Sequence, residues 1–440
     1  MSLSHPPPPT RPTVLKFGGA ALVDGAGVWR ACDLVVGRGG PSPVVVVSAA
    51  HGVTGLLDGL WRVAAGLDTA PPEAEAGAHR VRIRHRTLLS ELGLDAEFLD
   101  RHLRELTWVL AAIRSRAAPS PADRDHVLSF GERMSARIVA AALTARGVLA
   151  TPVDAFDLGL VSDSNHGRAR PLPGTAAQVG RALEAVRGVP VVTGFVAVDA
   201  RGRLTTLGRN GSDLSASLIG AAVGAGEVQF WKSVVGILTA DPALVPGARP
   251  LRSLDYVRAA EFARLGAQVL HPEALEPLRA ENIPARVLCF EDPGDAGTRI
   301  ESLGAGAEAC GIACGRDWVR LSGRAPHLDP PGGLRQGEDV FAPWSDELAR
   351  TLADPQGPQE PVRIERGFAR LAVLHGAQDS ARGAVLLAAA DIEVLAHRVE
   401  GPTTELIVVR EADLPRAACT LHADLIEAAL DRSPGEAASA

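Results

Sequence analysis

Four consecutive valines, Val44 to Val47, entered through Pro43, constrain the fold more than any other stretch of this chain. A β-branched run without polar alternation suits a strand covered on both faces. Proline is tolerated where a strand begins, because the missing N–H is not needed there. Further strands are expected at Thr13–Phe17, Val189–Val192 and Gln229–Trp231. Helical stretches are expected at Glu73–Leu92, Ala96–Arg116, Arg133–Arg146 and Asp213–Val223. This alternation predicts an α/β fold with a mostly parallel sheet sandwiched by helices. Ligands of such folds sit beyond the carboxyl ends of the strands. Lys16, Ser48 and Gly194 all fall at or just after strand ends, so the topology gathers them at one edge.

The first strand ends in Lys16-Phe17-Gly18-Gly19. Glycines lacking Cβ let backbone N–H groups come close to an anion. A helix start behind them adds partial positive charge, and Lys16 adds a full one. The combination suits a phosphoryl group.

At 440 residues the chain is long enough for two or three domains. A net charge of −7 argues against a nucleic-acid or polybasic membrane partner. The five cysteines (Cys32, Cys289, Cys310, Cys314, Cys419) form no CxxC pair, and no His or Cys cluster completes a metal site. Reduced thiols are the simple reading. Residues 1–12 form a proline-rich tail without the apolar core of a signal peptide. No apolar run reaches the ~18 residues of a membrane span. A cytoplasmic protein is expected.

The character changes after Asp292-Pro293-Gly294. Residues 13–300 read as one α/β domain and 301–440 as a second region, with linkers at Pro326–Gly337 and Asp354–Pro361. The stretch from about 366 to 428 reads βαββα, an order that resembles the ferredoxin-like ACT module. Trp318–Leu321 begins an incomplete first copy, lacking a clear helix and second strand after it.

Further strings join the lysine–glycine turn: Val46-Val47-Ser48-Ala49-Ala50-His51-Gly52-Val53-Thr54; Leu128-Ser129-Phe130-Gly131-Glu132-Arg133; Thr193-Gly194-Phe195; Gly208-Arg209-Asn210-Gly211-Ser212-Asp213; Ala240-Asp241-Pro242; and Leu270-His271-Pro272. In this order and spacing the set resembles the aspartokinases of the amino-acid-kinase family, across residues 13–300 and into the ACT region. The resemblance implies transfer of the ATP γ-phosphate to the β-carboxylate of L-aspartate, with Mg2+, in a homodimer formed through the ACT region. It implies Lys16 at the phosphoryl group and Asp213 organising that lysine. It implies Ser48, Thr54, Glu132, Arg209, Gly194 and Phe195 around the amino acid. Gly18, Gly19, Lys232, Ser233, Gly236, Asp241 and Gln268 fall to the nucleotide side. The chemistry agrees: a guanidinium forks onto a carboxylate, and Glu132 can pair with an ammonium. Simpler roles stand beside these: first-turn helix charges for Glu132 and Arg133, pairing with Arg209 for Asp213, and helix caps for Thr54 and His271. Trp231 and Tyr256 read as core.

The departures cluster on the nucleotide side. Ala20-Ala21 stand where the family usually has Thr-Ser. Lys232-Ser233-Val234-Val235-Gly236 replaces Thr-Asp-Val-Asp-Gly, Ala243 replaces an arginine, and Gln268 replaces a lysine. Three readings stay open: a working kinase in which Lys232 supplies the missing cation, a catalytically impaired paralogue that binds an amino acid, and a kinase for a related acid. Truncation of the first ACT copy predicts weak or absent feedback inhibition by lysine or threonine.

Overall fold

The computed structural model describes residues 11–38, 40, 43–68, 73–116, 118–266, 269–303, 311–323, 330–353, 362–374, 382–401 and 403–427, excepting the side chains of 73–78. The tail through residue 10, Cys310, Gln268, residues 326–329 of the first linker and all of the 354–361 loop lie outside them. The chain divides into two compact units. One is formed by residues 1–235 and 270–302, the other by residues 236–269 and 303–440.

The first unit carries strands β1 (Thr13–Phe17), β2 (Val44–Val47), β3 (Ala150–Val153), β4 (Val161–Ser162), β5 (Val189–Thr193), β6 (Val196–Asp199), β7 (Leu204–Thr206), β8 (Glu227–Lys232), β10 (Ala285–Cys289) and β11 (Thr298–Ile300). Its main sheet runs β3-β5-β2-β1-β8-β10-β11. All pairs are parallel except β10 with β11. Strands β4, β6 and β7 form a small separate sheet. The helices are α1 (Gly25–Arg38), α2 (Val53–Ala64), α3 (Glu73–Glu91), α4 (Asp100–Arg114), α5 (Pro121–Ala145), α6 (Thr175–Glu184), α7 (Gly211–Ala222) and α9 (Pro272–Ala280).

Strand alternation splits the sheet into two faces. Leu15, Phe17, Val45, Val47 and Val191 join one core with residues of α1, α2, α4 and α5. The valine run is buried throughout. The opposite face receives α7 so closely that a Cβ at Gly220 would stand 2.4 Å from Val228. Lys16 lies on this second face. Trp231 and Tyr256 are buried, and His271 caps α9, as their sequence context suggested.

Helix α5 starts earlier than its apolar pattern indicates. Ser120 and Asp123 form a capping box, and Pro121 occupies the first turn, so the helix begins at residue 121 rather than near 133. Glu132 therefore sits inside a helix rather than at its start. Thr54 is not a cap either, since Gly52 precedes α2 with φ 77°.

The second unit contains β9 (Ser253–Leu254), α8 (Tyr256–Arg264), β12 (Gly311–Ser322), β13 (Leu334–Gln336), β14 (Asp339–Pro343), α10 (Asp346–Ala353), β15 (Arg363–Leu374), α11 (Gly383–Ala389), β16 (Ala396–Glu400), β17 (Thr404–Arg410) and α12 (Leu414–Leu421). A six-stranded antiparallel sheet runs β13-β14-β12-β15-β17-β16. The βαββα order holds from β15 to α12. The first copy is fuller than its sequence suggests, because a hairpin (β13–β14) and helix α10 follow β12. Among the described residues no helix stands between β12 and β13, where α11 stands in the other half. Both central strands are long and bent: the β12–β15 register shifts between Gly315 and Trp318. Residues 236–269 pack into this unit. The Ile312 N–H donates to the Thr239 carbonyl (2.7 Å), and Ala240, Leu244 and Val245 share a core with Leu371, Ile407 and Leu421.

Candidate functional site

Register brings two cations together. Lys16 on β1 pairs with Phe230 on β8, so Lys232, two residues further, projects from the same face. Both ammoniums meet Asp213 in the first turn of α7. Lys16 Nζ is 2.8 Å from one carboxylate oxygen, and Lys232 Nζ donates to the other at 2.6 Å. A carboxylate there also complements the helix dipole. Burial works against the charged form of Asp213, but Lys16, then Lys232, outweigh it and hold the carboxyl below its ordinary range. Burial pulls the Lys232 ammonium down; Asp213 opposes this and Lys16 adds to it. A Cβ on Gly18 would stand 3.3 Å from Lys16 Nζ, and one on Gly19 3.1 Å from the Ala49 carbonyl. The paired glycines thus leave room beside the lysine.

A cavity of about 450 Å³ opens at this strand edge. Lys16, Ser48, Thr54, Glu132, Phe195 and Arg209 all line it, so one space unites the ammonium and the guanidinium picked out in the sequence. Ser48 terminates β2 and donates its N–H to the Phe17 carbonyl (3.1 Å). Glu132 arrives through Gly131, where a Cβ would stand 2.6 Å from that of Ala49. Only glycine lets α5 come that close. Burial pushes the Glu132 carboxyl up to about 8, against backbone amides at Ala49 and Glu132 and the charge of Lys16. Its Oε2 has no hydrogen-bond partner among the described residues. A buried carboxylate oxygen left so asks for a donor.

Arg209 is exposed at the cavity wall and makes no ion pair or hydrogen bond among the described residues. Pairing of Arg209 with Asp213, one of the simpler roles, is not what the structure has. Arg133, inside α5 rather than in its first turn, turns away from the cavity to Glu105 (3.1 and 3.2 Å) and Asp154 (3.6 Å). Gly194 packs so tightly on Ser212 that a Cβ would stand 2.7 Å away. Phe195 holds φ 66°, costly for an aromatic residue. Its N–H donates to Ser215 Oγ (2.9 Å), which donates in turn to the Gly211 carbonyl (3.0 Å).

Two neighbours that sequence reading missed complete the frame. Arg124 lines the cavity. Asp125, wholly buried, accepts from Gly167 N (2.9 Å), Thr206 N (3.1 Å) and Thr206 Oγ1 (2.7 Å), with His166 Nδ1 at 3.0 Å. Those partners lie 41 to 81 residues away, so no local pattern announces them. Of the nucleotide-side residues, Ser233 is exposed just past β8. Gly236 and Asp241 belong to the second unit, where Gly236 has φ 122° and Asp241 Oδ1 accepts from Ala243 N (2.9 Å). Gln268 lies outside the described residues.

The amino acid kinase family model matches residues 11–289. Aspartokinase 1, chloroplastic, of Arabidopsis thaliana is 37% identical over 294 residues, covering 65% of this chain and 51% of its own. Lysine-sensitive aspartokinase 3 of Escherichia coli (strain K12) is 34% identical over 296 residues, covering 65% and 63%. The chain thus spans about half the length of the chloroplastic relative it matches. Among solved structures, E. coli aspartokinase III in complex with aspartate and ADP superposes with a TM-score of 0.77 at 24% identity, over 93% of this chain and 99% of that one. The aspartate kinase of Clostridium acetobutylicum gives 0.74 at 19%, over 93% and 99%. These two likenesses carry the fold of both units. The chain belongs to the amino acid kinase family, and the curated relatives it is similar to are aspartokinases.

Proposed function

We propose that this chain is an aspartate kinase, transferring the γ-phosphoryl group of ATP to the β-carboxylate of L-aspartate to give 4-phospho-L-aspartate and ADP. One observation carries the reading: a single cavity joins the Lys16 ammonium to an Arg209 guanidinium and a buried Glu132 oxygen that both lack a partner among the described residues. A small molecule with two carboxylates and an ammonium supplies what each of these groups wants.

In this reading Arg209 grips the α-carboxylate in a fork. Glu132 takes the ammonium, and the charge it meets favours its ionised form. Ser48, Thr54, Gly194 and Phe195 border the acid. The β-carboxylate is already ionised at neutral pH and needs no general base. Its oxygen attacks the γ-phosphorus while the bond to the bridging oxygen breaks, and ADP leaves with that electron pair. Lys16 and Lys232 offset the charge that builds on the transferring group and the departing phosphate. Gly18 and Gly19 let the phosphates approach the backbone, and Ser233 belongs to the nucleotide side. For Gly236, Asp241 and Gln268 the nucleotide assignment rests on the sequence resemblance alone.

Both Asp213 oxygens are engaged by lysines. ATP is proposed to enter as its Mg2+ complex, the ion being part of the substrate. The same reading makes residues 13–300 the catalytic part, apart from residues 236–269 that pack into the second unit, and 301–440 a regulatory, dimerising part. It makes the protein a cytoplasmic enzyme at the head of aspartate-derived amino-acid synthesis. Among the described residues no helix is long and apolar enough to cross a membrane.

A coupled ADP-release assay tests the reading. ADP release that depends on L-aspartate and exceeds that with L-glutamate is the expected result. Release indifferent to the acid, or a preference for L-glutamate, overturns it.

A further inference from the structure

The acid cavity holds a second guanidinium. Arg124, on α5, donates from Nε to Asp58 Oδ1 at 2.6 Å and lies over the Trp61 ring at 5.7 Å. These contacts fix the plane of the group and use only Nε. The two terminal nitrogens make no hydrogen bond among the described residues, and the side chain lines the cavity.

Its relation to Arg209 is built by two glycines. A Cβ on Gly167 would stand 3.6 Å from Arg124 Nη1, and one on Gly208, beside Arg209, would stand 3.3 Å from the Gly167 carbonyl. Both glycines have left-handed backbones, φ 81° and 76°, and both line the cavity. Glycine backbone thus lines the cavity beside each of the two arginines. Asp125, next to Arg124, binds Gly167 N and Thr206 N and so locks α5, that glycine and β7 into one frame.

We infer that Arg124 is a second arm of the acid site, binding together with Arg209 the substrate carboxylate that does not accept the phosphoryl group. This rests on the aspartate reading above. A carboxylate has about four lone-pair directions, and one fork fills two of them. A planar guanidinium already oriented by Asp58 and Trp61 loses little freedom in filling the others. The ligand class is thus an α-amino acid with a free α-carboxylate, and amides at that position are discriminated against.

Calorimetry on the full chain decides the matter, with L-aspartate and its α-amide as probes. Wild type is expected to bind the acid more tightly than the amide. Arg124→Ala should raise the Kd of L-aspartate about tenfold, and that of the α-amide by less than about twofold. Arg124→Lys, which keeps a cation for Asp58 but loses the fork, should fall between, and it serves as the decisive variant if the alanine form melts early. Equal losses for both ligands would assign Arg124 a purely structural role, and unchanged Kd values would remove it from the site; either result overturns the inference. A wild type that binds no L-aspartate overturns this inference and the aspartate reading together, whereas binding that the variants leave untouched overturns this inference alone.

Discussion

The acid cavity and the lysine–aspartate cluster that shares Lys16 with it are prepared in opposite ways. At the acid end, Glu132 Oε2 and Arg209 stand without partners among the described residues. At the phosphoryl end, Lys16 and Lys232 are both ion-paired with Asp213. An acid therefore meets groups without protein partners, while a phosphate meets ammoniums whose charge Asp213 already offsets in part. The first arrangement favours selective recognition. The second holds one buried and one half-buried cation until a richer anion arrives, since an unpaired buried charge costs far more than a paired one.

Asp213→Asn should have the largest effect, because it strands two ammoniums. A stability loss of roughly 3–5 kcal/mol is expected in denaturant melts, together with a rate loss of ~100-fold or more in ADP release. Normal stability would mean that the lysines find other partners and do not depend on Asp213. The depressed Asp213 carboxyl contributes its stability above the ordinary aspartate range and loses it only as pH falls through its own lower value, so this contribution should persist throughout mild acid.

Lys232→Ala comes next. If the second ammonium carries phosphate charge in place of the lysine missing at Gln268, the rate should fall ~100-fold, and Gln268→Lys should restore part of it in that background. Full activity of Lys232→Ala, with nothing gained from Gln268→Lys, would reduce Lys232 to a counter-ion for Asp213.

Glu132→Gln probes the acid end. The folded protein retains a proton at Glu132, whose carboxyl stands at about 8, that the unfolded chain releases near 4.5. Stability should therefore fall as pH rises through that interval, by on the order of a few kcal/mol, and the glutamine variant should lack this slope in melts. L-Aspartate affinity should rise toward pH 8 in wild type and stay flat in the variant. A wild type without that pH dependence would mean that Glu132 is ionised before ligand arrives.

The smallest effect is expected from lysine or threonine added as inhibitors. The half of the antiparallel sheet built on β12 has no described helix between its first two strands. In the other half, the first amides of α11 are already held by an internal carboxylate, with Glu405 accepting from Gly383 N (2.8 Å) and Ala384 N (2.9 Å). Dose-response curves should shift by less than about twofold, because the first amides of α11 are not free for a ligand carboxylate. Strong inhibition would show that the effector binds elsewhere.

What was legible in the sequence follows from range. The Lys16-Gly18-Gly19 turn, the valine strand and the βαββα order are carried by neighbouring residues, and they appear in the structure as read. The capping box at Ser120 was equally local, yet the apolar pattern of α5 drew attention further along the chain. Arg124 and Asp125 could not be read, because their meaning lies in partners such as Asp58 and Thr206, far away in sequence. The β13–β14 hairpin was hidden for another reason. Leu334–Gln336 is too short to show alternation, and its pairing depends on a strand that itself reaches β12.

The shared central strands have a consequence for any attempt to dissect the molecule. The end of β12 that pairs with β14 and the end of β15 that pairs with β17 lie on opposite sides of the register shift. Each strand thus closes one half and opens the other. Cutting the chain between the halves would leave both with a raw, unpaired border, so they form an inseparable pair that can be transplanted, fused or lost only as a whole.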